Sequence, residues 1–381
     1  MKQIIIDGNV LVEDHFSGIG QYSLNIIKSL DQLLNNQKYK ENFNVKLLIC
    51  YDKKNKLNKI KLSNIKISYL PIKLRYYNAL FHRNLLPPLD LFFGKGIYIF
   101  PKFISSRLIN SLSVPIIYDI TFEILPKYGE NKNVAYLHKN LPKTLKKAYK
   151  IITISENSKN DLTKKFLVDK TKIIISYPAT DKNLFYPRTK QEITEIRKKY
   201  SLPEKYILSI SNLEPRKNIL SIIKAFCSYV DKYQNQSLSL VIFGSGGWKK
   251  EKLMNLINQK IKAGYKIIIP KLLLTDQDKP AVLSGAKILV FIPFYEGFGM
   301  PPLEALSCGT PVIIAHNSSL KEITNHSEFF VDEKNLDQIA DKINFFLENN
   351  VNYKNKLTRG TGLFHQFDWN KSVQNILNNL N

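Results

Sequence analysis

The sequence predicts an α/β protein of two domains, each a parallel sheet covered by helices. Three observations carry this. A dozen short apolar runs, rich in Ile, Val and Leu, recur along the 381 residues. They are apolar throughout rather than alternating, as strands buried on both faces are. The stretches between them place apolar residues at helical spacing, and alternation of the two kinds is the pattern of parallel α/β sheets. One polar, proline-flanked stretch, YPATDKNLFYPRTK at residues 177–190, breaks the alternation near the middle. The length is ample for two domains, each with its own core.

Taken in order, strands are expected at Gln3–Asp7, Val45–Tyr51, Ile65–Leu70, Gly96–Phe100, Pro115–Ile120, Lys150–Ser155 and Lys172–Tyr177. The second half adds Lys205–Ile210, Leu238–Gly244, Tyr265–Pro270, Lys287–Pro293 and Pro311–His316. GIGQYSLNIIKSL (18–30) and NILSIIKAFCSYV (218–230) read as helices between them. FDWNKSVQNILNNL (367–380) reads as an amphipathic terminal helix with Asp368 as its cap. The expected division is a domain of residues 1–180, a second of 181–365, and a terminal helix in 366–381. Ligands of open α/β sheets bind beyond the carboxyl ends of the strands, near helix N-termini. Two such domains facing each other would enclose a cleft.

Composition excludes several classes. At 44% hydrophobic and 23% charged residues the chain is an ordinary globular protein, not a disordered one. Its three cysteines, Cys50, Cys227 and Cys308, lie far apart without C-x-x-C spacing. That suggests neither a disulfide framework nor a cysteine metal site, and it favours a reducing, cytoplasmic setting. MKQIIIDGNV is too short an apolar run for a signal peptide, and no run reaches the length of a membrane span. The net charge of +24, from 56 Lys+Arg against 32 Asp+Glu, suits anionic lipid, nucleic acid or phosphorylated ligands. It is also diffuse, as expected of compositional drift in a Lys-, Asn- and Ile-rich chain, and both readings stay open.

The residues able to do chemistry gather after expected strands. EGFGMPPLEALSCGT (296–310) follows KILVFIP and places Glu296 and Glu304 eight residues apart. Gly297 and Gly299 let the backbone come close to a ligand, so the N–H groups of Phe298 to Met300 could meet a hydroxyl or an oxyanion. Pro301 and Pro302 suit a first helical turn, with Leu303 and Glu304 following and Gly309 ending the helix. The two acids could be a catalytic pair, a ligand clamp or helix-dipole partners. SNLEPRKNI (211–219) follows KYILSI and opens a helix. There Ser211 and Asn212 lead to Arg216 and Lys217, which could add charge-assisted bonds to a phosphate at the helix N-terminus. FSGIGQY (16–22) joins the first strand to a helix, and Gly18 and Gly20 there could admit a phosphate or simply form a turn. GSGGW (244–248) lacks the full G-x-G-x-x-G fingerprint of dinucleotide binding.

The pattern E-G-F-G-x-P-x-L-E-A-x-x-x-G-x-P-V closely resembles the E-x7-E signature of retaining glycosyltransferases of the GT-B fold, the large family often called GT4. The resemblance runs the full length, and this motif is its most specific part. It implies two Rossmann-like domains facing a central cleft, with the terminal helix packing back on the first. It implies that Glu296 and the Gly297–Met300 backbone hold the transferred sugar and that Glu304 binds the ribose. Arg216 and Lys217, matching the family's R-K-N, would clamp the diphosphate of the donor. Ser211, Asn212, Leu303, Gly18 and Gly20 would line the donor site, and the backbone of Leu273 and Leu274 would pass the base. Asp276-Gln277-Asp278 satisfies D-x-D, a metal signature of the other major glycosyltransferase fold. Here it precedes the helical KPAVLSGA and reads as helix capping. The family needs no such metal, so neither metal nor cofactor is expected. The resemblance departs at IIYDITFEILP, where Tyr118 stands in place of a histidine, followed by Asp119. A tyrosine hydrogen-bonds but is a poor base at neutral pH.

The function expected is transfer of a hexose from a nucleotide diphosphate sugar to an acceptor hydroxyl, with retention, in polysaccharide or lipopolysaccharide synthesis. Arg216, Lys217, Glu296, Tyr118 and Asp119 form the expected reacting centre. The S-G-G-W turn and the Y-D-I-T-F-E-x-x-P stretch look closest to bacterial mannosyl- and rhamnosyltransferases. That makes GDP-mannose the first donor and UDP- or TDP-sugars the next, with a glycan or lipid-linked acceptor. The charge would then serve peripheral attachment to an anionic membrane, on the inner face of the cytoplasmic membrane. Two rivals remain: a catalytically silent nucleotide-sugar-binding member of the fold, and an anionic-surface or nucleic-acid binder. No RNA- or DNA-binding module is recognisable, so nucleic acid is not an expected partner.

Overall fold

The computed structural model describes residues 1–13, 18–244, 246–248, 250–360 and 362–380, without the side chains of residues 58 and 59. Phe16 and Ser17 of the expected glycine turn, and Ser245 of GSGGW, lie outside them. The chain forms two compact units: residues 1–178 with 367–381, and residues 179–366.

In the first unit the apolar runs become β1 (Lys2–Asp7), β2 (Phe43–Cys50), β3 (Lys66–Leu70), β4 (Ile97–Phe100), β5 (Leu112–Ile117), β6 (Ile151–Thr153) and β7 (Ile173–Ile175). They pair in the order β3-β2-β1-β4-β5-β6-β7, with parallel register throughout. Ile4, Ile5, Leu47, Val114 and Ile152 are each at most 1% exposed, which is why these strands read as unbroken apolar runs. The order reverses between β1 and β4, so the loops leaving their carboxyl ends diverge. Glu13 and Lys102, one in each loop, form an ion pair of 2.5 Å there.

The terminal helix, Trp369–Leu380, belongs to this first unit. Asp368 Oδ1 accepts the N–H of Lys371 at 3.1 Å, the cap expected of it. Val373, Ile376, Leu377 and Leu380 recur at helical spacing and are 1–3% exposed. Each such buried side chain contributes about 1.5–3 kcal/mol. Polar clips add direction: Ser29 Oγ donates to Asn370 Oδ1 at 2.6 Å and Ser372 Oγ to the Tyr177 carbonyl at 2.6 Å.

The second unit holds β8 (Tyr206–Ile210), β9 (Ser239–Phe243), β10 (Ile267–Ile268), β11 (Ile288–Phe291), β12 (Val312–Ala315) and β13 (Phe330–Val331). The order is β10-β9-β8-β11-β12-β13, again all parallel. From β8 the chain steps outward to β10, then crosses back to β11 on the other side of β8. The reversal therefore falls between β8 and β11, where a doubly wound sheet opens its ligand crevice.

Two expectations shift. The run Pro115–Ile120 leaves the sheet at Ile117, so Tyr118 begins a loop. Asp278 stands at the N-cap of the helix Lys279–Gly285 but makes no side-chain cap bond. Its Oδ2 is taken by Lys199 Nζ, Tyr200 Oη and Thr275 Oγ1, each at 2.7 Å. Three donors, one of them charged, outcompete a terminal backbone N–H for that oxygen.

Candidate active site

At the reversal point of the second sheet, the loops leaving β8 and β11 are joined by charge. The β8 loop ends in a short 3-10 turn, Pro215–Lys217, before the helix Ile219–Tyr233. Arg216 Nη1 donates to the Tyr295 carbonyl at 2.9 Å and to Glu296 Oε2 at 3.1 Å. Lys217 Nζ donates to the same Oε2 at 2.7 Å. Both cations thus converge on one oxygen, and Oε1 carries no hydrogen bond among the described residues. The three side chains are 13–16% exposed. Burial pushes the Glu296 carboxyl up, but the Lys217 ammonium and the Arg216 guanidinium outweigh it and hold it below the usual range.

The turn after Glu296 is built around Gly299, at φ +109. A Cβ there would lie 2.5 Å from Leu320 Cδ2, so only glycine satisfies both the left-handed backbone and the space. The helix Met300–Ser307 starts on this glycine, with Pro301 and Pro302 in its first turn. Phe298 and Leu303 are buried against the core at 3% and 2% exposure. Ser211 hydrogen-bonds back to the sheet through its N–H to the Phe243 carbonyl at 3.1 Å.

Glu304, from the second turn of that helix, is 6% exposed. The only hydrogen bond to its carboxylate among the described residues is from Lys279 Nζ to Oε1 at 3.4 Å, and Oε2 is left without one. Lys279 is shared with Asp276, 3.3 Å away. One long bond to a shared cation does not offset burial, which raises the Glu304 carboxyl above its ordinary value. Lys279 itself loses to burial but gains more from the two carboxylates, and it stays above its ordinary value. Lys279 thereby ties Glu304 to the loop carrying Leu273 and Leu274. Leu273 is 73% exposed, with its carbonyl accepting from Tyr200 Oη at 3.2 Å.

Sequence reasoning passed over the groups that hold Glu296. Ser318 Oγ accepts the Glu296 N–H at 3.0 Å, and Ser319 Oγ donates to the carbonyls of Glu296 and Phe298 at 2.8 and 3.1 Å. Asn218, in left-handed conformation at φ 58, donates to the Ile292 and Glu333 carbonyls at 3.1 and 2.9 Å. Glu214 accepts from Asn212 Nδ2 and Arg216 Nη2 at 3.3 and 3.4 Å. Their one sequence signal was position: each follows or adjoins the carboxyl end of β8 or β12.

The remaining expected residues belong to the first unit. Gly18 opens the helix Gly18–Leu33, and Gly20 is buried in its first turn. Tyr118 is 7% exposed, its hydroxyl donating to the Pro101 carbonyl at 3.2 Å and lying 3.4 Å from Ser23 Oγ. Tyr22 meets its ring edge-on at 5.4 Å. Burial pushes this hydroxyl far above its ordinary value, which keeps it neutral. Asp119 Oδ1 accepts the Thr121 N–H at 2.8 Å, turning the chain away from β5. No group of three or more His, Cys, Asp or Glu side chains able to hold a metal occurs among the described residues.

Residues 192–361 match the family model of glycosyl transferases group 1. The chain is 28% identical over 270 residues to an O-antigen chain mannosyltransferase B of Escherichia coli, spanning 70% of this chain and 69% of that one. It is 27% identical over 179 residues to the serotype-specific mannosyltransferase WbdA of the same species. That match spans 47% of this chain but 22% of the much longer relative. Among solved structures it superposes with a TM-score of 0.69 on Anabaena HepE in complex with UDP and glucose. There the identity is 15%, and 100% of this chain and 99% of that one are covered. With its two parallel sheets and the Glu296–Glu304 turn at the reversal of the second, the chain has GT-B architecture, carries a glycosyl transferases group 1 domain at residues 192–361, and is homologous to O-antigen mannosyltransferases of Escherichia coli.

Proposed function

We propose that the protein is a retaining, metal-independent glycosyltransferase that moves mannose from GDP-mannose to a glycan or lipid-linked acceptor in surface polysaccharide synthesis. The observation that carries this is the pairing of Arg216 and Lys217 with Glu296 at the reversal of the second sheet. Two cations there supply the positive charge that a departing diphosphate needs, in the place where other enzymes use a divalent ion. The Glu296 cluster of the ligand-free site, two cations on one carboxylate, opens as the diphosphate takes over the cations. Glu296, with the Gly297–Met300 backbone, then turns to the hydroxyls of the sugar.

Glu304 suits the ribose. It is a buried carboxylate with one oxygen unclaimed, and a vicinal diol offers two O–H donors to such a group. The backbone of Leu273 and Leu274, on the loop tied to Glu304 through Lys279, passes the base in this reading. Ser211 and Asn212 complete the donor contacts of the second unit. In the transfer step the acceptor oxygen bonds to the anomeric carbon as the bond to the phosphate oxygen breaks on the same face. The acceptor proton goes to the leaving phosphate. Such a step needs no side-chain base, which fits a Tyr118 hydroxyl that burial keeps neutral. The mannosyltransferase relatives favour mannose, and UDP- or TDP-sugars are the next donors.

A thermal-shift panel of GDP-, UDP-, TDP- and ADP-sugars tests this. A bound donor at about 100 times its Kd stabilises by roughly 2.7 kcal/mol. A shift with GDP-mannose above the others, followed by mannose transfer to a lipid-linked glycan, is the expected result. No shift with any nucleotide overturns the reading. Shifts without transfer or donor hydrolysis would favour the catalytically silent alternative.

A further inference from the structure

The amino ends of β4 to β7, at the opposite edge of the first sheet from its ligand-binding ends, carry a second surface. Four loops enter these neighbouring strands, and each is hydrogen-bonded to the next. Asp90 accepts the N–H groups of Ile109 and Asn110 at 2.7–3.0 Å. The Leu112 N–H donates to the Gly96 carbonyl at 2.9 Å and the Tyr149 N–H to the Ser113 carbonyl at 2.9 Å. Lys150 Nζ donates to the Thr171 carbonyl at 3.0 Å. The loops therefore form one continuous platform.

Large apolar side chains stand out of it. Leu91, Phe92 and Ile109 are 63%, 64% and 60% exposed, and Leu167 is 87% exposed. Leu167 sits in the left-handed region at φ 55, a conformation that leucine rarely adopts, with nothing covering it. Around these lie cations. Segments 90–96, 107–113, 146–150 and 164–172 contain nine Lys and Arg against two acids, Asp90 and Asp169. Both acids already accept backbone N–H bonds within the platform. Protruding Leu, Ile and Phe within a field of lysines match a bilayer, where hydrocarbon takes the apolar tips and anionic headgroups take the ammonium groups. A nucleic acid would use the lysines but gain little from Leu91, Ile109 or Leu167.

We infer that this edge of the first unit is a docking face for an anionic lipid bilayer. The inference rests on the reading of a peripheral enzyme and names the surface it uses. The face leaves the carboxyl ends of the strands free for ligand.

The test is co-sedimentation of the full chain with phosphatidylglycerol/phosphatidylethanolamine vesicles and with phosphatidylcholine vesicles. Three variants are compared: L91S/F92S/I109S, K164S/K165S/K170S/K172S, and K190S/K252S/K262S/K334S, which removes the same charge from the second unit. Wild type should partition to the anionic vesicles and release in high salt. The platform lysine variant should lose about 100-fold in partition and the apolar variant about tenfold or more. The second-unit variant should stay near wild type. Equal loss in both lysine variants would reduce the effect to net charge and overturn the proposal. So would binding of single-stranded RNA, insensitive to the apolar variant, with no vesicle binding. The nucleotide-sugar thermal shift, read on the same variants, should not change. Its absence in wild type would count against the enzyme reading alone.

Discussion

Glu296→Gln separates the two roles of the cation cluster. In the ligand-free protein Glu296 Oε2 receives Lys217 at 2.7 Å and Arg216 at 3.1 Å. At an effective dielectric near 20, each pair is on the order of 5 kcal/mol gross, most of it offset by desolvation. The amide keeps one acceptor oxygen, and Arg216 keeps Glu214 and the Tyr295 carbonyl. A net loss of about 2–3 kcal/mol follows, since each charge-assisted bond contributes roughly 1.5–3 kcal/mol. For a unit of this size that is a fall in melting temperature of roughly 4–10 °C. Nucleoside diphosphate affinity should move the other way. Without the carboxylate, the diphosphate no longer competes for Lys217 and Arg216, and binding should hold or tighten by up to about tenfold. Transfer should still fall by on the order of 100-fold, because the sugar has lost its acceptor and the cluster its geometry. Scanning fluorimetry, titration calorimetry with the preferred nucleoside diphosphate and a sugar-transfer assay read the three quantities. A variant whose nucleotide affinity collapses together with its stability would refute the reasoning, as would unaltered turnover.

Glu304→Gln should do the reverse, weakening nucleotide binding by roughly 10- to 100-fold while turnover at saturating donor changes little. Calorimetry against the kcat/KM split checks it. Acid stability should report Glu296 directly. Its folded pKa is lowered, so its contribution is complete above the unfolded value of about 4.3 and is lost as pH falls through the folded value. The acid limb of melting temperature against pH should therefore be flatter in Glu296→Gln than in wild type. Gly299→Ala should cost about 2–4 kcal/mol, from the left-handed backbone and the clash with Leu320, read as a lowered melting temperature. Tyr118→Phe should lose about 1 kcal/mol of stability and leave turnover within a few-fold. A fall in turnover beyond about 100-fold would return that hydroxyl to the chemistry.

Much of the frame was legible because burial on both faces writes a plain signal. Each of the dozen apolar runs became a strand, since a parallel strand under helices has no polar face. β13, Phe330–Val331, was missed because two residues at a sheet edge are too short to form a run. β10 shrank to Ile267–Ile268 within a longer apolar stretch, as it is paired on one side only. The capping role read into Asp278 failed because Lys199 and Tyr200, nearly eighty residues away, claim its carboxylate.

The sequence by itself determined the two parallel sheets and the glycine turn carrying Glu296 and Glu304, because both depend on local pattern. Period, proline and glycine act within a few residues, and a short apolar run or a left-handed turn is specified where it stands. Tertiary structure alone decided which charges meet. Lys217 reaches Glu296, Lys279 divides itself between Asp276 and Glu304, and Ser318 and Ser319 grip the turn from the next strand. Apart from the neighbouring Asp276, those partners lie 22 to 79 residues apart in the chain, and Lys217 meets Glu296 because β11 returns to lie beside β8. Whether a carboxylate ends below or above its ordinary pKa depends on the number and distance of the cations that the topology delivers, two at close range for Glu296 and one shared and distant for Glu304.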